Sequence, residues 1–423
     1  MKKILIVGGG GREAALVQKL SALELELHCA PGNAGIARFA ELHPVPANDL
    51  PAQVALAQRT KADLVVIGPE DPLAAGLVNQ LRAKQISVFG PSAAATQIEA
   101  SKVWCKRLLQ EAGIPTPIGI VFSNPASALN ILRLREAEYP LVIKADGLAQ
   151  GKGVKICRNF KDAEAAVRQI MVERKFGDAG KQILVEEFLT GRECSLMVLT
   201  DGVNVIPLPL ARDFKRAQED DRGENTGGMG SFAPVPDVDS ALKAEIMETI
   251  IYPTLAALRK VGCFYQGVLY AGIMLTDRGP MVLEYNCRFG DPEIQAVLPL
   301  LTAECFSDLL FRCASSSLRD AQISWVDQSA VCIVLASGGY PGPYEKGLPI
   351  SGLDAAGALD GVQVLHAGTA LDNAGRTVTA GGRVLNIVGT AQDLPTARER
   401  ALQGVRLINF DGMQFRSDIA KDI

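Results

Sequence analysis

Alternation between apolar runs and helical segments in the first hundred residues constrains the fold of this chain more than any other feature. The apolar runs KILIVGG, LELHCAPGN, ADLVVIGPEDP and ISVFGPS each end at a turn that contains glycine or proline, and GREAALVQKLSAL after the first run has helical spacing. This alternation predicts an open parallel α/β sheet with helices on both faces. Such sheets bind ligands beyond the carboxyl ends of their strands, so the turns are candidate binding sites.

The remainder of the chain predicts α+β structure rather than a continued parallel sheet. Strand patterns at PLVIKAD, VKIC and ILVEEFLTG lie among helical patterns, and two hairpins are expected to turn at Asp201-Gly202 and at TDRG. The predicted helices span residues 95–113, 125–137, 161–174, 239–261 and 394–407. We therefore predict domains at residues 1–100, 101–324 with a small subdomain at about 120–190, and 325–423.

Composition and charge limit the kinds of partner that this chain can have. A net charge of -4 and a pI near 5.6 provide no positive field for nucleic acid, so no nucleic-acid partner is expected. The nine cysteines occur singly and only three histidines are present, which argues against a zinc site or a disulfide framework. The N-terminal apolar run is too short for a signal peptide and no apolar stretch reaches membrane-spanning length. We expect a cytoplasmic protein without a membrane partner, either a monomer or a weak homo-oligomer.

The turn VGGGGREA fits two interpretations. Gly9, Gly11 and Ala14 match the pattern GxGxxA, which would indicate a dinucleotide site. A tight turn between strand and helix also needs glycine, and the acidic candidates for a ribose contact, Glu24 and Glu26, fit solvent-exposed positions equally well. We favour a bare turn or a site for another small ligand.

The segment VLEYNCRFGDPE contains a polar row at the end of a predicted strand. If residues 281–287 form a strand, Glu284, Asn286 and Arg288 lie on one face, because side chains alternate with a period of two. Carboxylate and amide oxygens suit a magnesium ion that bridges phosphates, and a guanidinium suits a phosphoryl group in transfer. The alternative is a polar sheet face exposed to water, since Val282 and Leu283 break the alternation.

Two earlier segments could complete a nucleotide site. Lys144 ends an apolar strand, where an anion would offset the cost of burying its charge, and the glycines after it do not have the spacing of a P-loop. That loop is either an ordinary hairpin or a cover for phosphates. The segment ILVEEFLTGRE is a strand with an acidic end and an apolar pair, which could hold adenine, and Glu193 could bind its ribose.

A lysine strand with a glycine-rich flap, an acidic strand end and a later E-x-N-x-R strand, in this order, resemble the ATP-grasp ligases. The chain is similar over nearly its full length to the phosphoribosylamine-glycine ligase family within them. The segments that carry the resemblance are GGREA, APGNAG, VIGPEDPL, VFGPS, IEASK, VIKADGLAQGKGV, FGDAG, VEEFLTG, RGENTGGMG, GVLYAGIML, EYNCRFGDPE, VLASGGYPGPYEKG, HAGT and GGRVL.

The resemblance implies a fold and a reaction. The fold would have an N-terminal open parallel α/β domain (pre-ATP-grasp), an ATP-grasp core with a small lid subdomain, and a small C-terminal α+β domain that completes the cleft. The reaction would join glycine to 5-phosphoribosylamine through glycyl phosphate, with ATP cleaved to ADP and phosphate, in de novo purine synthesis. The alternatives are an ATP-grasp ligase for another amino acid or amine, and a nucleotide-binding regulator without turnover.

The resemblance also implies a role for individual residues. Arg288 and Lys144 would be catalytic, and Glu284 and Asn286 would bind Mg²⁺ or Mn²⁺. The residues expected to bind ATP are Lys102, Lys144, Gly151, Lys152, Gly153, Glu186, Glu187, Leu189 and Glu193. The residues expected to bind glycine and 5-phosphoribosylamine are Gly10, Gly11, Arg12, Gly68, Pro69, Glu70, Asp71, Asp213, Lys215, Asn225, Thr226, Gly227, Gly228, Met229, Gly230, Arg288, Gly290 and Asp291.

Three positions depart from the usual family pattern. Ala14 and Phe214 stand where the family usually has histidine, and Glu224 stands where it usually has proline. Loss of two imidazoles could shift the substrate preference or slow the enzyme. We favour the interpretation that neither histidine takes part in the chemistry, because the expected mechanism has no obligatory histidine base.

Overall fold

Five parallel strands form the first sheet of the computed structural model, which describes residues 1–148, 153–421 and 423. The strand order is β3-β2-β1-β4-β5, so the chain winds outward in both directions from β1. The strands are β1 (Lys2–Gly8), β2 (Leu25–Pro31), β3 (Glu41–Leu42), β4 (Leu64–Ile67) and β5 (Val88–Phe89), and the helices are α1 (Gly11–Leu20), α2 (Leu50–Thr60), α3 (Glu70–Ala74), α4 (Leu77–Ala83) and α5 (Ala93–Ala100). The predicted parallel sheet is therefore confirmed, and only the short edge strand β3 had no sequence prediction.

The helix predicted at residues 95–113 is two helices, α5 and α6 (Lys102–Glu111). The break lies at Ser101, whose backbone is extended and whose side chain accepts a hydrogen bond from the amide of Trp104. Asp146 strengthens the break, because its Oδ1 accepts from the Ser101 hydroxyl at 2.9 Å and from the amide of Val103 at 3.1 Å. A serine can interrupt a helix in this way by capping the next one. The prediction of one helix is wrong, and the break places Lys102 at a helix N-terminus.

A small antiparallel sheet with two helices forms the next unit, in the order β6-β9-β7-β8. Its elements are β6 (Gly119–Phe122), α7 (Pro125–Leu134), β7 (Leu141–Ala145), β8 (Val154–Cys157), α8 (Phe160–Val167) and β9 (Ile183–Glu187). One sheet face packs on α7 and α8 in an apolar core of its own. On the opposite face Lys144 pairs with Leu184, so Glu186 is its diagonal neighbour.

The central sheet is antiparallel, in the order β11-β10-β16-β17. Its strands are β10 (Arg192–Thr200), β11 (Val205–Pro207), β16 (Gly267–Thr276) and β17 (Gly279–Asn286). The helices α9 (Ser240–Ile246) and α10 (Tyr252–Lys260) lie between β11 and β16 in the chain, and α11 (Glu293–Val297) and α12 (Ala303–Ala314) follow β17. Both predicted hairpins are present. In the second, Gly272 lies opposite Glu284 and Ile273 opposite Val282, so Leu283 is the extra residue of a β-bulge.

The last sheet is also antiparallel, in the order β12-β15-β18-β22-β19, and it takes two strands from earlier in the chain. Its elements, with two short hairpins beside it, are β12 (Arg212–Asp213), β13 (Arg216–Gln218), β14 (Arg222–Asn225), β15 (Gly230–Ala233), β18 (Ser329–Ala336), α13 (Leu353–Gly357), β19 (Val362–His366), β20 (Thr369–Leu371), β21 (Thr377–Thr379), β22 (Arg383–Ala391) and α14 (Leu394–Leu407). The strands β12 and β15 tie the C-terminal part to the loop around residue 213. Across the described ranges, no helix has the length and apolar character that crossing a membrane requires.

Candidate active site

One cleft of about 1020 Å³ brings together most of the residues that the sequence singled out. Its walls come from helices that follow strands of the first sheet, and from the small antiparallel sheet, the central sheet and the C-terminal sheet. The predicted residues that line it are Arg12, Glu70, Lys102, Lys144, Gly153, Glu186, Glu187, Leu189, Glu193, Asp213, Lys215, Asn225, Thr226, Gly227, Glu284, Asn286, Arg288 and Asp291. Segments far apart in the chain therefore meet at one place, as a multi-substrate site requires.

A buried carboxylate between two lysines anchors one end of the cleft. Glu186 binds Lys144 Nζ through Oε2 and Lys106 Nζ through Oε1, each at 2.6 Å. Lys106 also donates to the Thr116 hydroxyl at 2.6 Å and to the Pro117 carbonyl at 2.7 Å. Burial raises the pKa of Glu186, but the two lysines outweigh burial and hold it below its ordinary value. The Glu186 side chain is therefore committed to positioning Lys144, and any contact with adenine would come from its backbone.

The bulge in β17 connects this lysine to the polar row that the sequence predicted. Lys144 Nζ donates to the carbonyl oxygen of Leu283, the bulged residue, at 2.9 Å. The irregular alternation at Val282 and Leu283 is therefore this bulge, and Glu284 and Asn286 line the cleft. Because a bulge re-aims the side chains that follow it, the strand can present both oxygen ligands to the site.

Glu284 and Asn286 fit a hard divalent cation. Neither side chain makes a hydrogen bond or an ion pair with any residue in the described part of the chain. Burial raises the pKa of Glu284, but Lys215, Lys144 and Lys102 together lower it more, so the carboxylate is ionised at neutral pH. An ionised carboxylate and an amide oxygen are ligands that Mg²⁺ and Mn²⁺ accept. The donor set thus suits the predicted metal.

Lys102 is held over the cleft by the first residue of the glycine loop. Its Nζ donates to the carbonyl oxygen of Gly147 at 2.9 Å. Burial lowers its pKa, while Glu284 partly opposes that effect. Gly153 is described and lines the cleft, whereas Gly151 and Lys152 lie outside the described residues.

The strand end after β9 offers a partly apolar wall. Leu189 is buried, while the Glu187 carboxylate accepts from the amide of Ile118 at 2.9 Å and from Arg278 at 2.9 Å. The Glu187 side chain is therefore used within the protein, and its amide donates to the carbonyl oxygen of Ile118 at 3.0 Å. Glu193, the predicted ribose ligand, forms an ion pair with Lys215 at 2.7 Å.

Asp213 is the acidic group with a pKa near neutrality in the cleft. Burial raises its pKa to about 7, with Lys215 as the opposing influence and Glu293 adding to the rise. Lys215 Nζ lies 3.8 Å from Asp213 Oδ1, too far for a direct hydrogen bond. A carboxyl group with this pKa is suited to accept a proton at physiological pH.

Arg288 joins the first sheet to the central sheet through two carboxylates. Its Nε lies 3.3 Å from Glu70 Oε2 and its Nη2 lies 3.7 Å from Glu99 Oε1. Glu99 also accepts from the amide of Cys287 at 2.7 Å, which fixes the chain beside the arginine. Burial lowers the pKa of Arg288, but Glu99 and Glu70 outweigh it and raise that pKa. The guanidinium is therefore a fixed positive charge in the cleft.

A second arginine, Arg383, connects the two predicted substrate loops that contain Gly227 and Asp291. It donates to the carbonyl oxygens of Gly227 at 2.6 Å and Asp291 at 2.7 Å, and its Nη2 lies 3.3 Å from the Asp291 carboxylate. The Gly227 amide in turn donates to the hydroxyl of Tyr340 at 3.1 Å. The predicted substrate loops are thus held together by a residue of the C-terminal sheet.

Several predicted substrate residues do not line the cleft. Arg12 on the cleft wall donates to the carbonyl oxygen of Gly68 at 2.6 Å, and Met229 and Gly230 are buried beside the C-terminal sheet. The predicted residues that do not line the cleft are Gly10, Gly11, Gly68, Pro69, Asp71, Gly228, Met229, Gly230 and Gly290. Their direct contact with substrate stays a prediction.

The three departures from the family pattern occupy different environments. Phe214 lines the cleft, where the Arg416 guanidinium lies 5.0 Å from its ring centroid. Ala14 is buried in α1 and lines a different cavity, and Glu224 is exposed on β14. Only the change at Phe214 can therefore touch a ligand in the cleft.

Sequence reasoning missed three residues that organise the site: Lys106, Glu99 and Arg383. Lys106 lies one helical turn after Lys102 on α6, so its place on the same helix face as a predicted site lysine was a signal that could have found it. Glu99 and Arg383 stand within the quoted segments IEASK and GGRVL. Each contacts another residue of the cleft. The sequence does not show which residue that partner is, so the role of each becomes visible only in the folded chain.

Comparison with known proteins places the chain in a family. Models of the phosphoribosylglycinamide synthetase N domain, ATP-grasp (A) domain and C domain match residues 2–99, 100–294 and 330–422. The chain belongs to the phosphoribosylglycinamide synthetase family. This membership confirms the predicted three-part fold, the predicted ligase class in purine biosynthesis, and binding of ATP with a divalent metal.

Individual relatives in the phosphoribosylglycinamide synthetase family extend over the whole chain. The phosphoribosylamine-glycine ligase of Caldanaerobacter subterraneus subsp. tengcongensis is 44% identical over 420 residues, which cover 99% of both chains. That of Streptomyces coelicolor is 46% identical over 424 residues, which cover 99% of this chain and 98% of the relative. The crystal structure of phosphoribosylamine-glycine ligase from Thermotoga maritima matches with a TM-score of 0.85 at 32% identity, covering 99% of this chain and 100% of that one.

Proposed function

We propose that this chain joins glycine to 5-phosphoribosylamine and cleaves ATP to ADP and phosphate, in de novo purine biosynthesis. A carboxylate is a poor electrophile, so the γ-phosphoryl group is first transferred to glycine. The ribosylamine nitrogen then attacks the resulting glycyl phosphate and releases phosphate. The observation that carries this proposal is a single cleft that Lys144, Glu284, Asn286, Arg288 and Asp291 line together.

ATP lies along the lysine side of the cleft in this proposal. Lys144 and Lys102 hold its phosphates, and the buried pair of Lys144 with Glu186 fixes the first of these charges in position. The backbone at Glu187 and Leu189 receives adenine, and Glu193 receives the ribose once it exchanges its contact with Lys215. Gly153 forms part of the phosphate cover, together with Gly151 and Lys152 as the family resemblance implies.

Glu284 and Asn286 hold Mg²⁺ or Mn²⁺ in this proposal. When bound there, such an ion would supply positive charge that offsets the charge on the phosphates. Arg288, fixed between Glu70 and Glu99, stabilises the phosphoryl group and then the oxyanion of the tetrahedral intermediate. The contribution of Arg288 is thus charge stabilisation from a fixed position.

Asp213 accepts the proton that the amine loses as it attacks glycyl phosphate. Its environment keeps its pKa at about 7, so a substantial fraction is ionised at neutral pH. Asn225, Thr226, Gly227 and Asp291 form the wall against the two small substrates. Gly10, Gly11, Arg12 and the segment 68–71 form the phosphoribosyl end in this proposal.

The proposal also retains the domain division made from the sequence. Residues 1–100 would bind the phosphoribosyl end, residues 101–324 with a lid at about 120–190 would bind ATP, and residues 325–423 would close the cleft. The matches to three separate family domain models support this division.

We expect purified protein with Mg²⁺ and ATP to release ADP only when glycine and 5-phosphoribosylamine are both present. ATP cleavage is tied to ligation in this scheme, because the glycyl phosphate formed in the cleft is consumed only by the bound amine. A coupled ADP assay with each substrate omitted in turn measures this. ADP release with another amino acid but not with glycine would support the related ligase, and no release with any pair would support the regulator.

We expect kcat/KM for the amine to rise with pH through about 7, because Asp213 must be ionised to accept a proton and its pKa is about 7. In Asp213→Asn, we expect kcat to fall by roughly 10² to 10⁴ and this inflection to disappear. A pH profile of both proteins measures this, with the exposed Asp320→Asn as the matched control. An unchanged inflection in Asp213→Asn would assign the base to another group.

A further inference from the structure

Two of the three histidines meet a glutamate at the edge of the first sheet, outside the cleft. His28 lies on β2 and pairs in register with Glu41 on β3, and His43 follows two residues later on the same side. The amide of His43 donates to the carbonyl oxygen of Cys29 at 2.9 Å, which continues the strand pairing beyond β3. The fold therefore brings these three side chains together from two neighbouring strands.

The three donor atoms have the spacing of ligands around one ion. His28 Nδ1 lies 3.1 Å from His43 Nε2 and 3.5 Å from Glu41 Oε2, and His43 Nε2 lies 3.8 Å from Glu41 Oε1. Zinc binds histidine nitrogen and carboxylate oxygen at about 2.0–2.2 Å with tetrahedral angles, so its ligand atoms stand about 3.4 Å apart. The two nitrogens already lie 3.1 Å apart, and a small rotation of the exposed Glu41 side chain would bring one of its oxygens close to that spacing from both.

The surroundings of His28 are also those of a metal ligand. Its second ring nitrogen, Nε2, lies 3.1 Å from Glu26 Oε1, which itself accepts from Lys3 Nζ at 2.8 Å. This carboxylate keeps the ring proton on Nε2, so the lone pair of Nδ1 points at His43 and Glu41. A carboxylate behind a ligating histidine is the usual arrangement at protein zinc sites.

We propose that His28, His43 and Glu41 bind one divalent transition-metal cation such as Zn²⁺, with water as the fourth ligand. Imidazole nitrogen favours Zn²⁺ and Co²⁺ over Mg²⁺, which prefers oxygen, so this site is distinct in chemistry from Glu284 and Asn286. This proposal departs from the sequence argument against a zinc site, which rested on spacing motifs that these three ligands do not follow. The ion ties the two-residue edge strand β3 to β2, and it stabilises the folded chain by mass action.

The test is titration of the metal-stripped full chain with Co²⁺ alone, followed by its visible d–d absorption. We expect the absorption band of tetrahedral Co²⁺ to saturate at one Co²⁺ per chain. Zn²⁺ should displace the bound Co²⁺ and abolish the band, whereas an excess of Mg²⁺ should leave it unchanged. The same band should persist in Glu284→Gln, because that residue belongs to the cleft. An intense sulfur-to-cobalt charge-transfer band would instead assign the ion to a cysteine and overturn the proposal.

Variants separate this site from adventitious binding. We expect His43→Ala and Glu41→Gln to weaken Co²⁺ binding at least tenfold, and Glu26→Gln to weaken it about tenfold through His28. The exposed Glu24→Gln is the matched control and should bind as the parent does. Glu41 is exposed, so its variant should fold even if His43→Ala does not. No band in the parent chain, or equal binding by Glu41→Gln and Glu24→Gln, would overturn the proposal.

Discussion

Glu284→Gln is expected to lower kcat by about 10³-fold with little change in fold. Removal of one preorganised hydrogen-bond donor at an oxyanion already costs roughly 10² to 10³ in kcat, and in the proposed site the lost group is a charged metal ligand. The side chain makes no hydrogen bond or ion pair with any residue of the described ranges, so its replacement should leave the packing intact. Steady-state kinetics across a range of Mg²⁺ concentrations measures the effect, and excess Mg²⁺ should restore only part of it.

The control for this variant is Glu245→Gln, an exposed glutamate of α9. It changes the net charge by the same amount and should leave kcat within about twofold, since surface charges outside a cleft act only through a screened field. Near-normal turnover by Glu284→Gln would remove the metal assignment at this residue. Equal losses in the two variants would show that net charge, rather than metal ligation, sets the rate.

Glu186→Gln is expected to destabilise the folded chain by about 3–5 kcal/mol. Breaking a buried ion pair by removing one partner costs about this much, and here Lys144 and Lys106 both lose their anion. Because the pKa of Glu186 is lowered by folding, its stabilising contribution is present above its unfolded pKa and is lost as pH falls through its folded value. Urea unfolding followed by tryptophan fluorescence at pH 7 measures the loss. Affinity for ATP should fall as well, because Lys144 loses its fixed position.

The neighbouring Glu187→Gln is a matched control on the same strand. Its carboxylate is partly exposed and binds Arg278 near the surface, where an ion pair contributes about 0–1 kcal/mol. We therefore expect a much smaller shift of the urea midpoint for Glu187→Gln than for Glu186→Gln. Equal shifts would contradict the assignment of a special role to the buried Lys144–Glu186–Lys106 cluster.

The parts of the fold that local pattern decides were predictable from the sequence. The parallel sheet was predicted from apolar runs that end in glycine turns. Both hairpins and the helix at 394–407 were predicted from turn residues and from the spacing of apolar residues. The break at Ser101 was not predictable from period, because it depends on Asp146, which lies 45 residues further along the chain. Likewise, the irregular pair Val282 and Leu283 carried a real signal, but only strand register identifies it as a bulge.

The candidate site also contains residues that the sequence could identify and residues that it could not. Residues that we propose to contact ligand directly, such as Lys144 and Glu284, stand in motifs and were singled out by residue type and spacing. Glu99 and Lys106 support those residues from other elements, so only the folded chain reveals their partners. The site of His28 and His43 is the extreme case, because its ligands share no motif and meet through pairing of β2 with β3.

Transfer of label from [¹⁸O]carboxyl-glycine to phosphate tests the central claim most directly. If the chain activates glycine as glycyl phosphate in the cleft between Lys144 and Arg288, one carboxyl oxygen leaves with the phosphate when the amine attacks. We therefore predict one ¹⁸O per phosphate released, with the other ¹⁸O in the amide product, as mass spectrometry of both products would measure. Unlabelled phosphate formed together with ADP would mean that water, and not glycine, receives the phosphoryl group, and it would contradict this account.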